Sequence, residues 1–353
     1  MNTTRFAECF QLHFQQHTLA EPQDAVKFCH QAAMGAEHLL TDKEQAMRYF
    51  LDEYEGAVTA DVPPFEPLSE AYSRVHLGAW KQLGLPPLWL FNMFYHTATE
   101  PSPGKTELLQ RYLNAVEQCA KAGVLPFSLC SWQTYRKHYE ARGHPPVRHS
   151  PAYRQKESPA YRVVKAEYER LLPVLQQLTV LPQTHCARIM AIDGRAAAGK
   201  TTSAALLAEV LDAAVIHMDD FFLPPELRTS ARLAEPGGNV HYERFISEVL
   251  PCLRNPEGFS YRCFDCSNMA YGRYREVPPS AWRIVEGSYS CHPAFGEYMD
   301  LRVFCDVTSD EQLRRIVSRN GRKTAAVFST KWIPMEEQYF AAARVKEMAH
   351  VVL

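Results

Sequence analysis

The stretch that most constrains this 353-residue chain is an eight-residue match to the pattern GxxxxGK[ST] at positions 194–201. It follows the apolar run 187–192, and its glycines allow backbone N–H groups to turn inward around a polyphosphate. Lys200 can then reach the outer phosphates, and the Thr201 hydroxyl can bind Mg²⁺. The sequence therefore predicts a phosphate-binding loop that, with the residue after it, comprises Gly194, Arg195, Ala196, Ala197, Ala198, Gly199, Lys200, Thr201 and Thr202.

The segments on either side of the match distinguish a phosphate-binding loop from an ordinary glycine-containing turn. Residues 189–192 are typical of a short buried strand, and residues 200–211 of a helix with an apolar face. A phosphate at the loop would lie on the N-terminus of that helix, where unpaired N–H groups and the helix dipole favour an anion. A turn alone does not explain Lys200 and Thr201 at their places in the pattern, so we favour the phosphate site.

Strand and helix patterns alternate through the C-terminal half of the chain. Apolar strands are predicted at 187–192, 213–218, 282–285, 301–307 and 351–353, and helices at 200–211, 242–253, 309–319 and 331–346. This alternation indicates an α/β fold with a doubly wound, mostly parallel sheet. We assign residues 181–353 to this domain.

Charged side chains stand where phosphoryl transfer would need them. Asp219 and Glu286 each follow a predicted strand, and the carboxyl ends of parallel strands face the ligand crevice. Thr201 and Glu286 are predicted to flank Mg²⁺, while Asp219 can accept the proton of an acceptor hydroxyl or share the metal. Arg315 and Arg319 lie four residues apart and could close over the phosphates. The competing interpretations are that the carboxylates cap helices and that the arginines form a solvated face.

Together these segments resemble the uridine kinase and phosphoribulokinase family of P-loop kinases, over about residues 185–353. The resemblance is carried by segments 192–194, 218–222, 264–265 and 285–287, and by Arg315 with Arg319. It implies a P-loop kinase domain over 181–353 that uses ATP and Mg²⁺, with Asp219 as catalytic base and Thr201 and Glu286 at the metal. The catalytic set would then be Asp219, Lys200, Arg315 and Arg319.

The same resemblance points to residues on the acceptor side. Where the family carries an aspartate for ribose hydroxyls, this chain has His241, within the segment 239–242. A nucleoside, uridine-like, is the acceptor class that the resemblance favours. The predicted substrate residues are Asp220, His241, Tyr242 and Asp265.

The N-terminal half shows helical periodicity instead of alternation. Apolar stripes at 23–40, 43–54, 68–83, 88–95 and 106–122 predict an all-α domain of five or six helices over 1–140. Its isolated histidines, and the pair Glu37-His38, are interpreted as packed or solvent-facing residues. Residues 141–180 are predicted to be a basic linker and a connecting helix, with Ser158 as N-cap. The basic, tyrosine-containing strip 136–165 is interpreted as a charged linker in preference to a nucleic-acid site.

The net charge and the composition restrict the classes of binding partner and the cellular compartment that we expect. A net charge of −2 and a pI near 6.7 give no general attraction to nucleic acid or to anionic membranes. No apolar run approaches the ~20 residues of a bilayer span, and the N-terminus lacks a signal-peptide core, so we expect a cytoplasmic protein. The ten cysteines show no framework spacing and are expected to be reduced.

The sequence thus predicts a kinase that transfers the γ-phosphoryl group of ATP to a hydroxyl of a small-molecule acceptor. One alternative is a nucleotide-binding sensor, a regulatory P-loop NTPase without an acceptor. A second is a nucleic-acid-linked NTPase that uses the strip 136–165, although the near-neutral charge counts against it. The sequence leaves open whether the chain forms an oligomer.

Overall fold

The computed structural model describes residues 4–36, 40, 42–100, 105–182 and 184–353, so Glu37 and His38 lie outside the described residues. The chain divides into two compact units, Met1–Arg170 and Leu171–Leu353. None of the described helices combines the length and the apolar character that a membrane span requires.

The first unit contains both helices and strands. Its helices are α1 (Thr4–Gln16), α2 (Pro22–Met34), α3 (Lys43–Gly56), α4 (Leu77–Gln82), α5 (Pro87–Thr99), α6 (Lys105–Lys121), α7 (Leu129–Ala141) and α8 (Pro151–Glu157). Its strands are β1 (Phe65–Pro67), β2 (Tyr72–His76) and β3 (Tyr161–Lys165). They form an antiparallel sheet in the order β1-β2-β3, so the prediction of an all-α domain is wrong.

The missed sheet has a physical reason in β2, which lies inside the segment 68–83 that was predicted as a helix. Arg74 is buried at the centre of this strand and interrupts its apolar pattern. The Arg74 guanidinium donates to the Gln31 side-chain oxygen at 2.8 and 3.0 Å and to Glu66 at 3.3 Å. A buried charge needs such partners, and all of them come from other elements of the unit.

The segment 141–180 is divided between the two units. Residues up to Arg170 belong to the first unit, where β3 pairs with β2 along its whole length. Ser158 caps no helix start, because it adopts a left-handed conformation (φ 44°) at the end of α8. The expected helix begins later, as α9 (Leu172–Thr179), in the second unit.

Several charges of the basic strip 136–165 are paired within the first unit. The ion pairs are Arg136 with Glu117 and Glu140, Arg162 with Glu53, and Lys165 with Glu100. The strip therefore presents less positive charge than its composition suggests.

The second unit is built on a five-stranded sheet with a separate hairpin. Its strands are β4 (Arg188–Gly194), β5 (Ala214–His217), β6 (Phe259–Asp265), β7 (Ala270–Val277), β8 (Trp282–Glu286), β9 (Leu301–Cys305) and β10 (Val351–Val352). The sheet has the order β10-β9-β4-β8-β5, and every neighbouring pair is parallel. The five predicted strands and their parallel pairing are present, as an α/β fold requires.

The helices of the second unit follow its strands. Besides α9 they are α10 (Lys200–Leu211), α11 (Ser230–Ala234), α12 (Tyr242–Glu248), α13 (Leu250–Leu253), α14 (Ser309–Val327) and α15 (Ile333–Ala343). Helix α14 runs past the predicted end at 319, with a break at Gly321 (φ 77°). The antiparallel hairpin β6-β7 was not predicted, since most of β7 is exposed and polar and shows no apolar run.

The phosphate-binding loop leaves β4 through a backbone that only glycine tolerates. Gly194 has φ 135°, and a Cβ at this position would lie 2.1 Å from the Cys305 carbonyl oxygen of β9. Gly199 (φ 95°) and Ala197 (φ 58°) are also left-handed, so the loop turns back on itself before α10 begins at Lys200.

Replacing Gly194 with alanine is expected to destabilise the second unit by roughly 2–4 kcal/mol, because both the backbone angle and the Cys305 contact oppose a side chain. Amide hydrogen exchange in β4 and β9 measures the loss. Gly272→Ala is the control, since its Cβ would meet only the Cys263 carbonyl oxygen, at 3.8 Å. Equal protection of the two strands in both variants would contradict this loop geometry.

Candidate active site

A cleft of about 480 Å³, the phosphate cleft, lies at the carboxyl ends of β4, β5 and β8. These strand ends meet at one edge of the sheet because the strands are parallel and adjacent. The structure brings ten of the predicted site residues into its wall: Ala196, Ala197, Gly199, Lys200, Thr201, Thr202, Asp219, Glu286, Arg315 and Arg319.

Lys200 begins α10 and is folded onto its own loop. Its Nζ donates to the carbonyl oxygens of Gly194 at 2.7 Å and Arg195 at 3.0 Å. These two bonds hold the ammonium group at the mouth of the loop, and no carboxylate of the residues that the structure describes pairs with it. A phosphate oxygen can take their place, as the motif requires.

Thr201 and Glu286, the two residues predicted to flank Mg²⁺, lie in contact, and His217 joins them. The Thr201 hydroxyl lies 3.1 Å from Glu286 Oε2, and the other oxygen of this buried carboxylate lies 2.6 Å from His217 Nδ1. A hydroxyl and a carboxylate are the oxygen donors that Mg²⁺ prefers, so this pair fits a magnesium site completed by water and phosphate oxygens. In the part of the chain that the structure describes, no cluster of three or more His, Cys, Asp or Glu has metal-binding geometry. Sequence reasoning did not single out His217, although it lies next to the last residue of the predicted strand 213–218.

Asp219 follows β5 and is accessible from the phosphate cleft. Although Asp219 is exposed, the protein groups around its carboxyl desolvate it in part, and this desolvation raises its pKa above the ordinary value. The negative charge of Glu286 raises the pKa of Asp219 further, while the charge of Lys200 opposes the change. The direction of this pKa shift agrees with the proton-accepting role that the sequence predicts for Asp219.

Asp220 and Asp265 line a flanking cavity of about 610 Å³ that shares Asp219 and Phe222 with the phosphate cleft. The Asp220 carboxylate already accepts bonds from Arg275, at 2.8 and 3.3 Å, and from the Tyr261 hydroxyl. Asp265 is exposed and accepts bonds from the Ser267 backbone and hydroxyl. Asp220 thus bonds both strands of the hairpin β6-β7, through Tyr261 and Arg275. Asp265 stabilises the turn of this hairpin.

His241 and Tyr242 are not among the residues that line either cavity. The His241 ring lies 3.3 Å from the Tyr271 hydroxyl. Tyr242 is stacked between the Arg232 guanidinium, 3.7 Å from its ring centre, and the His292 ring. The structure therefore does not bring these two predicted substrate residues to Asp219.

The arginines divide into those that face the phosphate cleft and one that does not. Arg315 lines the cleft and donates to the Ala197 carbonyl oxygen at 3.1 Å, and Arg319 lines it one turn later on α14. The Arg195 side chain instead pairs with Asp306 and Glu337. Only the backbone of Arg195 is left to serve the loop.

Glu336 of α15 also lines the phosphate cleft, and sequence reasoning did not single it out. Its buried carboxylate accepts a bond from the Ala196 N–H of the loop at 3.0 Å and from the Ser288 hydroxyl at 2.7 Å. Burial raises the pKa of Glu336. An acidic side chain thus accepts the hydrogen bond of a loop N–H group that could otherwise bind phosphate. No local sequence pattern predicts this contact, because Glu336 lies 140 residues from Ala196 in the chain.

Part of this chain is similar to solved structures of other proteins. No family model and no curated protein sequence matches the chain. One similar structure is described as a possible uridine kinase from Bacillus stearothermophilus, with 18% identity, 53% of this chain and 99% of that chain covered, and a TM-score of 0.42. Another, from Silicibacter sp. TM1040, is described as a fructose transport system kinase, with 23% identity, 52% and 97% covered, and a TM-score of 0.43.

Replacing Glu336 with glutamine is expected to tighten ATP binding about three- to tenfold, on the order of 1 kcal/mol, because it removes a negative charge from a loop amide that phosphate needs. Titration calorimetry with Mg-ATP at neutral pH measures the change. Glu337→Gln is the control, because that neighbouring carboxylate pairs with Arg195 and does not line the cleft. Weaker ATP binding by Glu336→Gln would show that the carboxylate supports the nucleotide site.

Proposed function

We propose that the second unit is an ATP- and Mg²⁺-dependent kinase that transfers the γ-phosphoryl group to a hydroxyl of a small molecule. The observation that carries this proposal is the meeting of Lys200, the Thr201-Glu286 pair and Asp219 in the wall of one cleft. A structural turn would need none of them there. Phosphoryl transfer needs all three, because its catalysis rests mainly on positioned phosphates, a bound metal and an oriented acceptor hydroxyl.

The phosphates would be bound by the loop and held by positive charge. Loop amides at the start of α10 and the Lys200 ammonium group would bind the β- and γ-phosphates. Arg315 and Arg319 would place guanidinium groups along the same cleft, where they can stabilise charge on the transferred group. Bound Mg²⁺ would neutralise charge on the phosphate oxygens beside Thr201 and Glu286.

Asp219 would orient the acceptor hydroxyl and take its proton. This residue lines both the phosphate cleft and the flanking cavity, so an acceptor in the flanking cavity can present a hydroxyl beside the transferred group. Its raised pKa brings the carboxyl closer to the range in which a general base works well. A uridine-like nucleoside remains the acceptor that the family resemblance favours, although His241 and Tyr242 lie outside the lining of both cavities.

A nucleotide-binding sensor without an acceptor is the second candidate. The contact between Glu336 and the Ala196 N–H favours it, because a phosphate at that amide would displace the carboxylate and disturb α15. A sensor would hydrolyse ATP slowly, and no component of a metabolite extract would receive the label.

Replacing Asp219 with asparagine is expected to lower turnover about 10²–10⁴-fold with ATP binding retained, because the base is lost while the loop is unchanged. The assay follows labelled γ-phosphate from ATP into a fractionated metabolite extract, with Lys200→Ala as the variant in which all transfer should stop. Asp212→Asn is the matched control, since Asp212 is exposed and its left-handed backbone (φ 54°) suits asparagine. Unchanged turnover in Asp219→Asn would remove the base assignment.

A further inference from the structure

Glu286, a carboxylate that is predicted to bind the metal, is the buried last residue of β8. This strand lies between β4 and β5, and its register pairs Glu286 with Ile192 on one side and with His217 on the other. Side chains of residues paired in neighbouring parallel strands project from the same face of the sheet. The apolar side chain of Ile192 offers no hydrogen bond, so His217 is the polar neighbour that the sheet gives to Glu286.

A short hydrogen bond joins His217 to Glu286. His217 Nδ1 lies 2.6 Å from Glu286 Oε1, and the Thr201 hydroxyl donates to Oε2 at 3.1 Å. A carboxylate only accepts hydrogen bonds, so Nδ1 carries the proton of this contact and donates it. The bond therefore occupies Oε1 and leaves Oε2 directed towards Thr201, another predicted metal ligand.

The backbone of His217 is held from two directions. All of β5 pairs with β8, and the His217 N–H donates to the Tyr261 hydroxyl oxygen at 3.3 Å. The Tyr261 hydroxyl in turn donates to Asp220 Oδ2 at 2.9 Å. Because tyrosine has a single hydroxyl proton, it is the acceptor towards His217 and the donor towards Asp220. His217 is therefore a fixed support for the carboxylate beside it.

His217 is not among the residues that line the phosphate cleft, whereas Thr201 and Glu286 are. The imidazole would thus act on a metal through Glu286 and not as a ligand. Loss of its N–H would leave the buried Oε1 without this donor, and the carboxylate could then rotate away from Thr201. Removing a residue that orients a metal ligand in this way lowers metal affinity about ten- to hundredfold.

We propose that His217 is a positioning residue for the metal, whose Nδ1–H holds the Glu286 carboxylate so that Oε2 and the Thr201 hydroxyl can bind Mg²⁺ together. The role rests on the proposed function, because this Mg²⁺ is the one that would accompany the nucleotide phosphates. It requires an N–H donor at the place of Nδ1 but no imidazole ring. Asparagine carries its amide NH₂ at that place, and leucine fills a similar space without a donor.

Manganese binding to the full-length protein in the presence of ADP tests this role, with electron paramagnetic resonance measuring free Mn²⁺. Mn²⁺ is suited by the same oxygen ligands as Mg²⁺. We expect His217→Leu to weaken Mn²⁺ binding about ten- to hundredfold, and His217→Asn to stay within about threefold of the parent. His185→Leu is the control, because His185 is exposed, belongs to the second unit and lines neither the phosphate cleft nor the flanking cavity.

The affinity for ADP in EDTA separates a role at the metal from general damage to the cleft. Lys200 and the loop amides bind phosphate without a metal, so His217→Leu should bind ADP in EDTA as tightly as the parent does. The role is overturned if His217→Leu binds Mn²⁺ like the parent, if His217→Asn is as weak as His217→Leu, or if affinity for ADP in EDTA falls by the same factor. No acceptor enters the measurement, so failure of this role and failure of phosphoryl transfer are separate results.

Discussion

The buried carboxylate of Asp193 is the contact on which the active-site end of the second unit depends. It lies at the end of β4 and accepts bonds from the backbone N–H groups of Gly194, Tyr289 and Cys291 and from the Tyr339 hydroxyl. An ionised group inside a protein is costly unless it is fully bonded, and burial raises the pKa of Asp193 in spite of these partners. One side chain thereby joins the start of the phosphate-binding loop, the segment after β8 and helix α15.

This junction explains why the chemistry of the cleft is shared among distant parts of the chain. Tyr339 and Glu336 lie one turn apart on α15, so the helix that bonds Asp193 also brings a carboxylate to the Ala196 amide. Lys200 lies among Asp193, Asp219 and Glu336, and its positive charge lowers the pKa of each of them against the effect of burial. A bound triphosphate would compete with these carboxylates for Lys200 and for the Ala196 N–H. Nucleotide affinity and the position of α15, which carries Glu336, should therefore be linked.

Sequence reasoning succeeded where local pattern and structure coincide. Apolar runs identified the parallel strands, and residues at the ends of those strands, Asp219 and Glu286, were brought to the cleft because parallel strands end at one edge. It failed where tertiary contacts decide: β2 contains a buried arginine, β7 is mostly exposed, and Glu336 reaches the loop from α15.

The proposed kinase and the nucleotide-binding sensor differ in where the γ-phosphoryl group goes, to a carbon-bound hydroxyl or to water. The most direct measurement is ³¹P NMR of the full-length protein with Mg-ATP and a metabolite extract. A kinase is expected to give a new phosphomonoester resonance in an amount equal to the ADP formed, and no such resonance is expected without the protein. Formation of ADP together with inorganic phosphate alone would contradict it and would favour a nucleotide-binding sensor.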